Sequence, residues 1–193
     1  MKRRVLAGID LGGTKILSGL FTQEGELLGE NLVMTNPSQG FAGVRDRLIV
    51  APWQLMEEHG KGCILMGVAI GFPGPVDYQT GFIFEGPNLG WKGINLGPDL
   101  EAVWRVPVWI ENDANLGALG EYTFVYPNKY DPMLYMTVST GIGGGIILNG
   151  RIYRGVGGGA GEFGHMTILP EGPTCRCGNY GCLVSLASGT AIA

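Results

Sequence analysis

Val5-Leu6-Ala7-Gly8-Ile9-Asp10-Leu11-Gly12-Gly13-Thr14-Lys15 opens the chain with an apolar run, a carboxylate, two glycines, a hydroxyl and an amine. Val5–Ile9 reads as a short buried strand that ends at Asp10 and a glycine turn. Ile16–Phe21 and Leu27–Met34 follow at once, so three strands on tight connections predict a β-meander. Triphosphate recognition needs backbone N–H donors, a carboxylate to hold hydrated Mg²⁺ and a cation, and Asp10, Gly12, Gly13, Thr14 and Lys15 supply all three. The spacing is not that of a Walker A loop. A plain hairpin turn has a similar composition, so this segment alone leaves both readings open.

The same pattern restarts late in the chain. Met133–Ser139 predicts a strand ending at Thr140 and a glycine turn, Gly145–Leu148 a second strand, and Arg151–Tyr153 a third after the hairpin pair Asn149-Gly150. Four glycines occupy positions 141, 143, 144 and 145. Glycine costs conformational entropy, and close approach of a ligand is the expected reason for so many. Two equivalent turns, with Thr140, Gly141 and Gly143 in the second, could grip one triphosphate, and the pairing favours nucleotide binding. The duplication predicts two domains. Residues 1–115 would carry the first phosphate turn and part of a substrate site, and 116–193 the second turn and a metal loop.

Between the copies, Phe41, Val44, Leu48, Ala51 and Leu55 follow helical spacing over about 38–59, with Pro52 expected to kink or split the helix. Ile64–Ile70 and Val106–Ile110 read as buried strands. Gly71–Asn95 reads as loop with a short hairpin, Leu96–Trp104 as a short helix and Asn112–Phe124 as a longer one. Strands mixed with helices in this order place the chain in the α/β class.

Composition narrows the function. The 193 residues are 45% hydrophobic and 16% charged, as expected of a folded chain with a real core. A net charge of -4 argues against nucleic acid as the main partner, because phosphate-backbone binding needs a basic surface. The apolar run after Lys2-Arg3-Arg4 is too short for a signal peptide, and the uncharged run Gly62–Val76 is too short to span a bilayer. These features predict a cytoplasmic protein without a membrane partner. In that compartment, three cysteines within residues 175–182 read as metal ligands before disulfides.

His165, Cys175, Cys177 and Cys182 supply one imidazole and three thiolates, a full tetrahedral shell for structural Zn²⁺ with no position left for catalysis. The metal would pin a loop that lacks a core of its own. Cys63 reads as a small buried hydrophobe and His59 as a solvated residue near a helix end. Glu111-Asn112-Asp113-Ala114-Asn115 lies between a predicted strand and helix. Asp113 there could take a proton from an attacking hydroxyl, but Asn and Asp also favour helix starts, and locally that simpler role is favoured. Gly155–Ala160 matches a dinucleotide fingerprint by pattern, yet no strand-to-helix crossover surrounds it, so it is rejected.

Taken in this order, Asp10–Lys15, Glu162-Phe163-Gly164-His165 and Cys175-Arg176-Cys177-Gly178-Asn179-Tyr180-Gly181-Cys182-Leu183 resemble the ROK family (repressors, open reading frames, kinases) over nearly the whole chain. The resemblance implies the actin-like, ribonuclease-H-like two-lobed ATPase fold, with the second lobe incomplete at Ala193. It implies an ATP-dependent kinase for a hexose or amino-hexose, acting at the 6-hydroxyl, with Mg²⁺ for catalysis and Zn²⁺ for structure. By resemblance Asp113 is the general base, reversing the local reading. Asn112, Gly74, Asn88, Glu162 and His165 face the sugar, and His165 binds zinc through its other ring nitrogen. Homo-oligomers are common in the family.

Two features depart from the family pattern. The family usually has Glu after Gly-Cys-Leu in the zinc loop, where this chain has Val184. A sugar hydroxyl left unpartnered there would lose about 1–3 kcal/mol. Family members also continue past the equivalent of Ala193, so the sequence reads as a fragment lacking the nucleobase pocket. Rivals to the kinase reading are a non-catalytic sugar binder, a family repressor, and a kinase using polyphosphate. Repressors carry a winged helix before the first phosphate turn, and here that turn begins at residue 10.

Overall fold

Asp10 and Glu111-Asn112-Asp113 reach a common edge because of how one sheet is wound. The computed structural model describes residues 2–127 and 129–193 and divides into two compact units, Met1–Asp113 and Ala114–Ala193. The first is built on a five-stranded sheet in the order β3-β2-β1-β4-β8. β1 (Arg3–Leu11), β2 (Lys15–Thr22) and β3 (Leu27–Met34) form the antiparallel meander that the sequence predicts. β4 (Cys63–Phe72) lies parallel to β1, and β8 (Val108–Asn112) parallel to β4. Register sets Asp10 beside Gly71, and Gly71 beside Glu111, so three parallel strands end side by side. Ligands of α/β sheets bind outside such carboxyl ends.

Alternation decides which face of the sheet is covered. Val5, Ala7, Ile9 and Leu11 of β1 and Ile16 and Leu20 of β2 are buried in one core with Val44, Leu48 and Leu55 of helix α1 (Gly40–His59). The alternate residues Leu6, Leu17, Leu32 and Trp109 remain exposed on the sheet. α1 runs unbroken through Pro52 and is not split there. The lost hydrogen bond and ring clash cost about 3 kcal/mol, and burial of Leu48 and Leu55 at about 1.5–3 kcal/mol each offsets it. A 3₁₀ turn, Pro37–Gln39, precedes the helix. Trp104, on helix α2 (Leu96–Trp104), donates from its indole N–H to the Ile49 carbonyl at 3.0 Å, and Arg45 pairs with Asp99 at 2.5 Å, joining α1 to α2.

Residues 71–95 correct the sequence expectation. They contain a second sheet, β5 (Val76–Asp77), β6 (Phe82–Gly86) and β7 (Trp91–Asn95), all antiparallel. The glycines that suggest loop include close-approach positions: a Cβ on Gly86 would lie 2.8 Å from Phe72.

The second unit holds a three-stranded sheet, β11-β10-β9, again an antiparallel meander: β9 (Met133–Val138), β10 (Ile142–Leu148) and β11 (Arg151–Ile152). Helix α3 (Asp113–Gly120) is shorter than expected and continues as one π-helical turn, Glu121–Val125. Ala118 and Tyr122 from this segment bury Ile147 of β10. Two short helices, α4 (Leu183–Ala187) and α5 (Gly189–Ile192), close the chain. No helix among the described residues is long and apolar enough to cross a membrane.

Candidate functional site

In the first unit, Asp10 stands near the end of β1 and the turn Gly12–Lys15 follows it. The turn closes on itself through the Gly12 N–H and the Lys15 carbonyl at 2.9 Å. Its carbonyls at Gly12 and Thr14 are both taken by Thr35, the first through the Thr35 hydroxyl at 2.7 Å and the second through the Thr35 N–H at 2.8 Å. Among the described residues, the N–H groups of Gly13 and Thr14 find no backbone acceptor. Successive N–H groups left over in a turn make an anion-binding concavity. The Asp10 residue is open to solvent, yet partial burial of its carboxyl by the surrounding chain pushes its pKa up from the ordinary aspartate value.

Asn88 reaches this turn from the loop before β7. A Cβ on Gly13 would lie 2.9 Å from the Asn88 Cβ, so glycine at 13 permits the approach. Gly74 is half-buried, and a Cβ there would meet the Glu85 carbonyl oxygen at 2.5 Å. Its own carbonyl lies 3.5 Å from the Asn112 side-chain amide. The strand β8 therefore delivers Asn112 beside the Gly74 loop, and Asp113 opens α3 as an exposed residue at the helix start. Glu111, one residue earlier, is buried, and its carboxylate accepts from the Asn112 N–H at 3.0 Å.

In the second unit, the glycine-rich stretch behaves differently from the sequence expectation. Gly143, Gly144 and Gly145 lie inside β10, not in a turn. A Cβ on Gly145 would lie 2.7 Å from Ala118 of α3, one on Gly144 2.7 Å from the Gly161 carbonyl oxygen, and one on Gly143 3.3 Å from Ala114. Packing of chain against both faces of the strand accounts for these three glycines without a ligand. Gly141 differs: it is exposed, and a Cβ there would meet only Val184 at 3.9 Å. The turn at Ser139-Thr140-Gly141 is fastened to the start of α5, where the Gly189 N–H donates to the Ser139 carbonyl at 2.7 Å and the Thr190 hydroxyl to the Thr140 carbonyl at 2.9 Å.

Glu162 precedes a 3₁₀ turn, Phe163–His165, which places His165 Nε2 3.8 Å from the Glu162 carboxylate. The other ring nitrogen, Nδ1, faces the Cys175 thiol at 3.6 Å. Cys177 and Cys182 stand 3.7 Å apart, and all four ligand atoms lie within 4.8 Å of one another. A tetrahedral zinc with ordinary bond lengths would set sulfurs about 3.8 Å apart, and sulfur from nitrogen about 3.6 Å. The donor set fits the metal. Without a cation the thiols titrate apart. The Asn179 N–H, foremost, holds Cys177 down to about 7, while burial pushes Cys182 up to about 12.

Thr35 is the site residue that sequence reasoning missed. It lies in an unremarked coil between β3 and the 3₁₀ turn, and only its tertiary bonds mark it.

Comparison with known proteins follows from this geometry. The ROK family model matches residues 6–193. A glucokinase from Halalkalibacterium halodurans is 40% identical over all of this chain and 59% of its own length. A xylose repressor from Bacillus subtilis is 45% identical over 66% of this chain and 33% of its own length. A crystal structure of a ROK family glucokinase from Streptomyces griseus, in complex with glucose and AMPPNP, superposes with a TM-score of 0.83 at 37% identity, covering 97% of this chain and 58% of that one. The chain thus spans about 60% of the length of the glucokinases it matches.

Proposed function

The chain belongs to the ROK family, and from that premise we propose that it carries the phosphate- and sugar-binding parts of an ATP-dependent hexose kinase. The observation that supports this most is the shared end of β1, β4 and β8, where a turn with unspent N–H groups, Asp10 and the Asn112-Asp113 pair all emerge from one sheet edge. Phosphoryl transfer needs little else from a protein than positioning and charge stabilisation.

In this reading Gly12, Gly13, Thr14 and Lys15 bind phosphate oxygens, and Asp10 holds the hydrated Mg²⁺ that accompanies ATP. Thr140 and Gly141 form the second phosphate contact, with Gly141 the open position, while Gly143 belongs to β10. Asn88, Gly74, Asn112, Glu162 and His165 orient the sugar, and Asp113 takes the proton from its 6-hydroxyl as that oxygen attacks the γ-phosphate. His165, Cys175, Cys177 and Cys182 would hold Zn²⁺, which supplies structural rigidity to the loop and leaves His165 Nε2 free to meet a substrate hydroxyl. Val184, beside the Gly141 turn, offers a sugar no hydrogen bond, and sugar affinity or choice is expected to differ from that of relatives with Glu there.

The identity to xylose repressors favours a second reading, a sugar-responsive regulator. Calorimetry separates the two. A kinase binds both hexose and Mg-ATP, and Asp113→Asn keeps both affinities within about threefold, because a general base acts mainly on the transition state. In a chain carried on to the full length of its glucokinase relatives, sugar binding with no detectable Mg-ATP binding would turn the assignment to the regulator.

A further inference from the structure

The Gly12–Lys15 turn owes its shape to a residue twenty-three positions away. Thr35 is fully buried, an unusual place for a hydroxyl, and its polar groups are satisfied by this turn: hydroxyl to the Gly12 carbonyl at 2.7 Å, N–H to the Thr14 carbonyl at 2.8 Å. Taking up both carbonyls turns them inward to Thr35, while the Gly13 and Thr14 N–H groups keep no backbone partner among the described residues. Thr35 is held in turn. The Arg47 guanidinium of α1 donates to the Thr35 carbonyl at 3.2 Å and the Gly43 carbonyl at 2.7 Å, and also bonds the Gln39 side chain. An unbroken line of hydrogen bonds runs from α1 through Thr35 to the turn.

We propose that Thr35 is a positioning residue for phosphate binding: it locks the turn with its N–H groups presented to the ligand, and Arg47 fixes the lock. The ligand's identity rests on the kinase reading above; the lock itself does not. Valine matches threonine in shape but lacks the hydroxyl, so Thr35→Val leaves the half-buried Gly12 carbonyl without this donor, whereas Thr35→Ser keeps it.

The test compares wild type, Thr35→Val and Thr35→Ser in two measurements on the full chain: amide hydrogen exchange across Gly12–Lys15, and calorimetric titration with Mg-ATP and with glucose. Thr35→Val is expected to speed exchange in the turn and weaken Mg-ATP binding about tenfold. Glucose affinity should stay within about twofold, and serine should restore both properties. Unchanged exchange and Mg-ATP affinity in Thr35→Val would overturn the proposal. So would failure of serine to rescue, or an equal loss of glucose affinity, which would mark general damage. If wild type binds no Mg-ATP, the ligand reading fails for this chain, and exchange alone decides whether Thr35 locks the turn. Should Thr35→Val not fold, Arg47→Met, which removes the bond to Thr35 without touching the turn, must shift exchange in the same direction; no shift would overturn the lock.

Discussion

At the proposed site, Asp10 would serve chemistry at the expense of stability. Its carboxyl is pushed up from the ordinary aspartate range by partial burial at the strand end. A folded-state pKa above the unfolded one means the folded chain binds the proton more tightly, so Asp10 destabilises the fold at neutral pH and the penalty is relieved as pH falls through the raised value. Mg²⁺ needs the deprotonated form. Magnesium-dependent ATP affinity is therefore expected to decline with acid at a higher pH than an ordinary aspartate would give. Asp10→Asn should lose the magnesium dependence with no fall in thermal midpoint; titrations with and without Mg²⁺ at several pH values, with a melting scan, check both. Asp10 and the glycines beside it were legible in the sequence because strand, carboxylate and turn are contiguous. Thr35 was not, because its role lies entirely in bonds to a distant segment.

Glycine meant different things in different elements. Gly12 and Gly13 sit in the expected turn, but Gly143–Gly145 are strand residues that admit α3 on one side and the Gly161–Phe163 segment on the other. The sequence showed an excess of glycine and could not tell close packing from close ligand approach, since both remove a Cβ. Gly144→Ala is expected to destabilise the ligand-free chain by about 1–3 kcal/mol through overpacking. Gly157→Ala, in a loop where a Cβ would meet nothing within 4 Å, should change stability by less than about 0.5 kcal/mol. Urea denaturation of both variants makes the comparison. The candidate metal loop was legible for a different reason: three thiols and an imidazole cluster within residues 165–182, and the observed sulfur and nitrogen separations are compatible with a tetrahedral ion. Chelation, or Cys182→Ser, is expected to raise hydrogen exchange across residues 166–182 while leaving β1–β4 protected, because that loop has few buried apolar residues of its own.

Across the whole molecule, the repeated strand–turn–strand pattern correctly announced two antiparallel meanders, and the central strands β4 and β8 were legible as continuous apolar runs. Of the β5–β7 sheet only a short hairpin was legible, because its strands are short and lie among glycines and prolines, and the continuity of α1 through Pro52 was not, because tertiary burial outweighed a local penalty. Leu6, Leu17, Leu32 and Trp109 stay exposed at different levels of the first sheet. The kinase account's most direct test is ADP release from Mg-ATP, measured with and without glucose, mannose and N-acetylmannosamine, for wild type and Asp113→Asn in a chain carried on to the full length of its glucokinase relatives. The account predicts sugar-dependent ADP release that falls about 10²–10⁴-fold in Asp113→Asn. Sugar-dependent turnover that survives the substitution unchanged would contradict Asp113 as the base, and bound sugar and Mg-ATP without turnover would contradict the kinase assignment.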